Sequence, residues 1–185
     1  MAKNMSIAQQ LELACENRCV VKVFRSSIEQ GASLGYVLDV GPEFFLLAYV
    51  GDDIRFDGFQ AIRTDLVSEV QSQHANNKFV ERALQLRGLE IPTHPGIDIT
   101  SISMLIKSVS SDYPLIVLHR EIVDPDVCHI GAFESIDDTE VGIIEINPDA
   151  TWDEDEMPYK LTEITRIDFA GGYESALALV AEHAI

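Results

Sequence analysis

The densest group of potential cation ligands is an acidic run in the second half of the chain. It comprises Asp149, Asp153, Glu154, Asp155 and Glu156. Hard cations prefer oxygen ligands, and an EF-hand loop that binds Ca²⁺ needs a glycine at its sixth position and a glutamate at its twelfth. Counted from Asp149, those positions hold Glu154 and Lys160. The run is therefore expected to be a solvated acidic loop, and neither a metal site nor a cofactor is predicted.

The chain's single tryptophan, Trp152, lies inside this acidic run. Tryptophan is enriched in binding hot spots, but it also caps small hydrophobic cores. The corresponding stretch of the first half contains Arg55 among several aspartates, and Phe56 there corresponds to Trp152. That correspondence favours a core role for Trp152. The candidate binding residues are Trp152, Arg55, Asp153 and Asp155.

A cysteine and a histidine could act as nucleophile and base if their side chains met in a cleft. Cys128 and His129 are neighbours in a predicted strand, so their side chains point to opposite faces and cannot pair directly. The chain also lacks a glycine-rich phosphate loop followed by Lys and Ser or Thr. No catalytic residue is predicted, and the protein is expected not to be an enzyme.

The cysteines are three in number, and none is in C-x-x-C spacing. This pattern indicates neither a complete disulfide framework nor a four-cysteine zinc site. Reduced thiols in a cytoplasmic protein are therefore expected. The N-terminus lacks the apolar run of a signal peptide, and no stretch of about eighteen apolar residues is present that could span a membrane.

The formal charge of −18 is unevenly distributed along the chain. Residues 1–96 carry 9 basic and 12 acidic residues, a net charge of −3, whereas residues 97–185 carry 4 and 19, a net charge of −15. A strongly acidic surface repels phosphates, so nucleic acid and anionic membranes are disfavoured as partners. The excess acid favours solubility, or else provides a docking face for a basic partner.

Hydrophobic periodicity predicts a helix, five strands and a second helix in the first half. Ser6 and Gln9 can form a capping box at the first helix. The strand at 43–50 is apolar on both faces, which is typical of a strand buried on both sides or hidden in an interface. The second helix is expected to bury a face formed by Phe79, Ala83 and Leu86. The predicted elements are a helix at 6–16, strands at 20–25, 34–40, 43–50, 59–63 and 66–71, and a helix at 77–87.

The second half repeats this order of elements. Thr100 or Asp98 is expected to cap its first helix, and Leu177 and Val180 are expected to be buried by its last. The predicted elements are a helix ending near 109, strands at 114–119, 127–136, 140–146, 157–161 and 163–168, and a helix at 172–182.

Setting Gly35 against Gly131 aligns the apolar positions of the two halves with a period of two, as a shared strand register requires. The aligned pairs are Val37 with Phe133, Val40 with Ile136, Phe45 with Val141, Leu47 with Ile143, Val50 with Ile146, Phe56 with Trp152 and, one insertion later, Ile62 with Tyr159, Val67 with Ile164 and Val70 with Ile167. The predicted organisation is one repeat at 1–90, a Pro- and Gly-rich linker at 91–98 and a second repeat at 99–185. The predicted fold class is mainly β with flanking α-helices, in two tandem small five-stranded barrels that close on themselves.

A helix followed by five strongly bent strands resembles the Sm-like fold, a subset of SH3-like barrels. The glycine, apolar and acidic positions of the first Sm motif are matched by Gly131, Phe133, Ile136 and Asp137 in the second half, and by Gly35, Val37 and Val40 in the first, where Gly41 replaces the acid. The resemblance places the RNA-contacting asparagine of the family at Phe45 and Val141. The Arg-Gly of the second motif falls at 63–64 and 160–161, where the glycine is missing. The resemblance therefore implies an Sm-like fold without its usual RNA site.

The expected function is a non-enzymatic protein-interaction or scaffold module. Because Sm-like barrels commonly pair their edge strands into rings, the resemblance implies self-association or a protein partner, and a strict monomer in light scattering would reject self-association. Two alternatives stay open. One is a divergent RNA-associated protein that binds through Arg18, Lys22, Arg25 and Arg63, and the other is a small metal-dependent hydrolase that uses the acids of 149–156.

Overall fold

The structure is a computed structural model that describes residues 5–72 and 74–182. Within these ranges the chain is mainly β with flanking α-helices, as predicted. The elements are α1 (Ile7–Asn17), β1 (Val20–Phe24), β2 (Ala32–Val40), β3 (Phe44–Val50), β4 (Phe56–Arg63), β5 (Glu69–Gln71), α2 (Ala75–Leu86), α3 (Ile102–Asp112), β6 (Ile116–His119), β7 (Cys128–Ile136), β8 (Glu140–Ile146), β9 (Trp152–Lys160), β10 (Arg166–Phe169) and α4 (Gly172–Glu182). Short 3₁₀ helices at Thr64–Leu66 and Leu161–Glu163 precede β5 and β10.

All ten strands belong to one antiparallel sheet in the order β5-β1-β2-β3-β4-β10-β6-β7-β8-β9. The order therefore reads the same way in both halves of the chain. The halves are joined where β4 pairs with β10, from Ile62 opposite Arg166 to Phe59 opposite Phe169.

The sheet is open, whereas each half was predicted to close into a barrel. Among the described residues, β5 pairs only with β1 and β9 pairs only with β8. The edge of β4 that closure of the first half would require is instead occupied by β10. The strand β5 also has only three residues, too few for long pairing on a second side.

Glycines allow neighbouring strands to approach closely at the same place in each half. A Cβ at Gly35 would lie 2.1 Å from the carbonyl oxygen of Ala48, and a Cβ at Gly131 would lie 2.4 Å from that of Ile144. No side chain fits at such a distance, so only glycine permits this approach of the backbones. The strand registers also shift at matching places, between Val37 and Asp39, Phe133 and Ser135, Ala48 and Val50, and Ile144 and Ile146.

The helix before each set of strands packs into the core of its own half. Ser6 and Gln9 form the predicted capping box of α1. The cap of α3 is Ser101, whose side chain accepts a hydrogen bond from the backbone of Met104, and not the predicted Thr100 or Asp98. The core of the first half contains Leu11, Ala14, Val21, Val23, Val37, Phe45, Leu47, Ile62 and Val67.

The strand β3 is buried on both faces, as predicted for an apolar strand of this kind. Phe45 and Leu47 face the core of the first half. Phe44 and Leu46 face the other way and join a core formed mostly by the second half, together with buried residues of α3. One strand thus contributes to two cores.

The helix α2 does not bury the predicted face, because Phe79 is 59% exposed and Leu86 is 70% exposed. The side-chain amide of Asn77 donates hydrogen bonds to the carbonyl oxygens of Val20 at 3.0 Å and Gln71 at 2.7 Å. These two bonds set the rotation of the helix, which an apolar pattern alone cannot reveal. The buried positions of α2 are Asn77, Val80 and Leu84.

The helix α4 has the predicted bounds and buries Leu177, but Val180 is 55% exposed and not buried as predicted. The stretch before α3 has no regular secondary structure. Ile97 and Ile99, at its end, are buried in the core that Phe44 and Leu46 join. None of the described helices is long and apolar enough to cross a membrane.

Candidate functional site

The strand β9 forms one end of the sheet and has an open edge. It contains nine residues, of which all except Tyr159 are exposed. It pairs with β8 on one side, from Glu140 opposite Lys160 to Ile146 opposite Trp152, and with no strand of the described residues on the other. An unpaired edge presents backbone N–H and C=O groups with which another chain can pair.

Three of the four candidate binding residues, Trp152, Asp153 and Asp155, lie on β9. The acidic run is therefore mostly strand and not the predicted loop, because pairing with β8 holds it extended. Arg55 lies apart, in the turn between β3 and β4, where its Nε is 3.5 Å from a carboxylate oxygen of Asp53. The structure does not bring Arg55 to the open edge.

The acids of β9 differ in how firmly they are held. Asp153 accepts a hydrogen bond from Asn147 at 2.9 Å, and Glu156 accepts one from Ser135. Glu154 and Asp155 are exposed. Among the described residues, no group of three or more His, Cys, Asp or Glu side chains could hold a metal ion. The arrangement thus presents a line of negative charge along a strand.

An apolar groove lies beside Trp152, whose side chain is 44% exposed. Its volume is about 280 Å³, and it is lined by Pro114, Leu115, Ala132, Trp152, Ala178, Ala181 and Glu182. The residue after Gly131 is Ala132, whereas the residue after Gly35 is Tyr36, a buried side chain whose ring centroid lies 6.0 Å from that of Phe56. The alanine leaves open a space that a tyrosine fills in the first half.

A cluster of charged side chains is buried between the two halves. Arg25 is fully buried and donates hydrogen bonds to the carboxylate of Glu121 at 2.5 and 2.9 Å. Burial alone would raise the pKa of Glu121, but the hydrogen bond from Arg25, the charge of Arg166 and a hydrogen bond from Thr165 lower it to about 2. Arg25, one of the residues of the RNA alternative, is therefore engaged with acids and inaccessible to a phosphate.

Around His119 lie a cysteine and an aspartate, residue types that are common in catalytic sites. This group was not predicted from the sequence. Cys128 lies directly opposite His119 in the pairing of β6 with β7, and His119 Nε2 lies 3.1 Å from a carboxylate oxygen of Asp168. Burial raises the pKa of the Cys128 thiol, and the charge of Asp168 adds to this effect. The thiol therefore stays protonated at neutral pH, unlike an activated nucleophile. The signal that could reveal this pair in the sequence is the cross-strand register, which places Cys128 opposite His119.

The fold and the open edge define a mainly β protein whose single antiparallel sheet has, at one end, a long acidic strand with an open outer edge among the described residues. No family model, no curated protein and no solved structure matches this chain.

Proposed function

We propose that this protein is a non-enzymatic protein-interaction module, built from two Sm-like repeats, that binds a partner by adding a strand of that partner to β9. Addition of a strand to an open sheet edge is a common mode of protein recognition, in which backbone hydrogen bonds supply affinity. The observation that carries the proposal is the pairing of β4 with β10. The strand β4 has the same place in the first half as β9 has in the second, and its outer edge is occupied by a strand.

The matching strand pairs support the two repeats. Val50 lies opposite Phe56 in the first half, and Ile146 lies opposite Trp152 in the second. Phe45 lies opposite Ile62, and Val141 lies opposite Tyr159.

The turns that follow β1 and β6 support them as well. Arg25 forms an ion pair with Glu29, four residues later, and Arg120 forms one with Asp124, also four residues later. An ion pair between residues four apart therefore occurs in the corresponding turn of each half.

Proline substitutions in β9 test the proposal. Adjacent residues of an antiparallel strand direct their N–H groups to opposite sides. Of Glu156→Pro and Met157→Pro, one therefore removes a bond to β8 and the other removes a donor from the open edge. The variant that loses only the donor at the open edge is recognised by a melting temperature equal to that of the wild type.

The tagged full chain and both variants would be used to capture proteins from a native lysate. We expect a partner that the full chain retains and that the edge-facing proline variant, folded as well as the wild type, does not. Equal capture by that variant, or no specific capture by the wild type, would refute strand addition at β9.

A further inference from the structure

We infer that the segment accepted by β9 is an extended, Lys- and Arg-rich stretch of another protein, and not a second copy of this chain. This inference rests on the proposed function and names the partner's chemistry. It follows from the side chains that flank the open edge, from their charge and from the groove beside Trp152.

The internal junction shows what a second copy would need. Around the pairing of β4 with β10, the first half supplies Phe44, Leu46 and Ala61, which are fully buried or nearly so in the shared core. Phe59 stacks on Phe169 with ring centroids 5.3 Å apart. This junction is apolar on the face that the two halves share.

The corresponding positions of the second half are polar or lack a large side chain. They are Glu140, Gly142, Glu156 and Pro158, as the pairing of β8 with β9 places them. The other open strand of the chain, β5, has three residues and includes the acidic Glu69. At these four positions a second copy would meet no apolar face, and it would bring further negative charge, so growth through a junction of this kind is disfavoured.

A cationic segment matches the edge electrostatically. Four of the nine residues of β9 are acidic, and its one basic residue, Lys160, already lies 3.3 Å from Glu163. All four acids are exposed, and they lie where the register of β9 shifts against β8, between Trp152 and Glu156. Opposite charges attract across an exposed edge in water, and added salt weakens that attraction.

The groove beside Trp152 supplies an apolar anchor at the end of the same strand. In the first half, Tyr36 fills the corresponding space against Phe56. A partner's apolar side chain next to its basic residues would cover Trp152 in the same way. A half-exposed tryptophan at an apolar groove is a typical binding hot spot.

Trp152 also makes the inference measurable, because it is the only tryptophan in the chain. The probe is a synthetic ten-residue peptide in which lysine alternates with valine, added to the full chain while the tryptophan emission is recorded. One matched peptide has threonine in place of lysine, and another has proline in place of valine. We expect the lysine peptide to shift the emission to shorter wavelength and to saturate. We expect its dissociation constant to rise at least fivefold between 50 and 300 mM salt.

Charge reversal on the edge supplies the matched variants. Glu154→Lys with Asp155→Lys should weaken binding of the lysine peptide at least tenfold. The control is Glu12→Lys with Glu16→Lys, which makes the same change of net charge at two exposed positions of α1. The control should bind like the wild type.

The outcomes separate this inference from the proposed function. If the threonine peptide binds as tightly as the lysine peptide, and the edge-facing proline variant loses both, strand addition stands and the cationic partner is refuted. If the proline peptide binds as tightly as the lysine peptide, or no peptide binds, both are refuted. A dimer in light scattering that the Glu154→Lys, Asp155→Lys variant abolishes would assign β9 to a second copy and overturn the inference.

Discussion

Arg25 is fully buried although its guanidinium group is charged, and its hydrogen bonds reach Glu29 at 2.6 Å and Glu121 at 2.5 and 2.9 Å. Arg25 belongs to the first half and Glu121 to the second. A buried charge needs its counter-charge, so this ion pair fixes how the two halves meet.

Arg25→Met should lower the free energy of unfolding by about 3–5 kcal/mol, because it leaves the carboxylate of Glu121 without its main partner. Denaturant titration at pH 7 measures the change. Arg82→Met, on an exposed position of α2, is the control and should change stability by less than about 0.5 kcal/mol. An Arg25→Met protein as stable as the control would show that the pair is dispensable.

Glu121 should also make stability depend on pH. Its pKa is lowered from 4.5 to about 2 in the folded protein, so the folded state holds the proton less tightly than the unfolded state. Its contribution is therefore fully present above about pH 5 and is lost as the pH falls towards 2. Unfolding titrations at pH 6, 4 and 3 should show a steeper loss for the wild type than for Glu121→Gln. Parallel curves for the two proteins would contradict this assignment.

Close approach of neighbouring strands is the main feature at the scale of elements. In each half a glycine lies against the backbone of the next strand, at Gly35 and at Gly131. Tolerance of glycine substitutions is therefore expected to differ sharply between these positions and the loops.

Gly35→Ala and Gly131→Ala should each destabilise the protein by about 3 kcal/mol, because the new methyl group would collide with a backbone carbonyl that cannot move alone. Gly31→Ala is the matched control, since the nearest atom to its Cβ would be Glu29 Oε2 at 3.8 Å. Melting temperatures and denaturant midpoints would be compared. Near-wild-type stability of Gly35→Ala would contradict the close approach of β2 and β3.

Most elements are predictable from the sequence because apolar alternation and helix caps are local signals. The bounds of α4 and the burial of β3 on both faces agree with the prediction. The predicted buried face of α2 is wrong, because Asn77 sets that face by hydrogen bonding to Val20 and Gln71. The strand β9 is longer than predicted, since exposed acids show no apolar alternation. The pairing of β4 with β10 depends on contacts between distant parts of the chain, which no local pattern reveals.

At the scale of the whole molecule, the two halves share a hydrophobic core and should unfold together. The first half contributes Phe44, Leu46 and Ala61 to a core formed otherwise by the second half and by the stretch that precedes α3. The pairing of β4 with β10 and the Arg25–Glu121 ion pair cross the same boundary. These links oppose independent unfolding of the predicted repeats.

Leu46 and Leu47 test this cooperativity, because they are adjacent, fully buried and on opposite faces of β3. Leu46→Ala removes packing between the halves, and Leu47→Ala removes packing inside the first half alone. Each should cost about 2–5 kcal/mol. In calorimetry we expect a single transition for the wild type and for both variants, moved to lower temperature in each variant. If the halves folded independently, Leu47→Ala would instead give two transitions. The first half would melt at a lower temperature, and the second half would melt at the wild-type temperature.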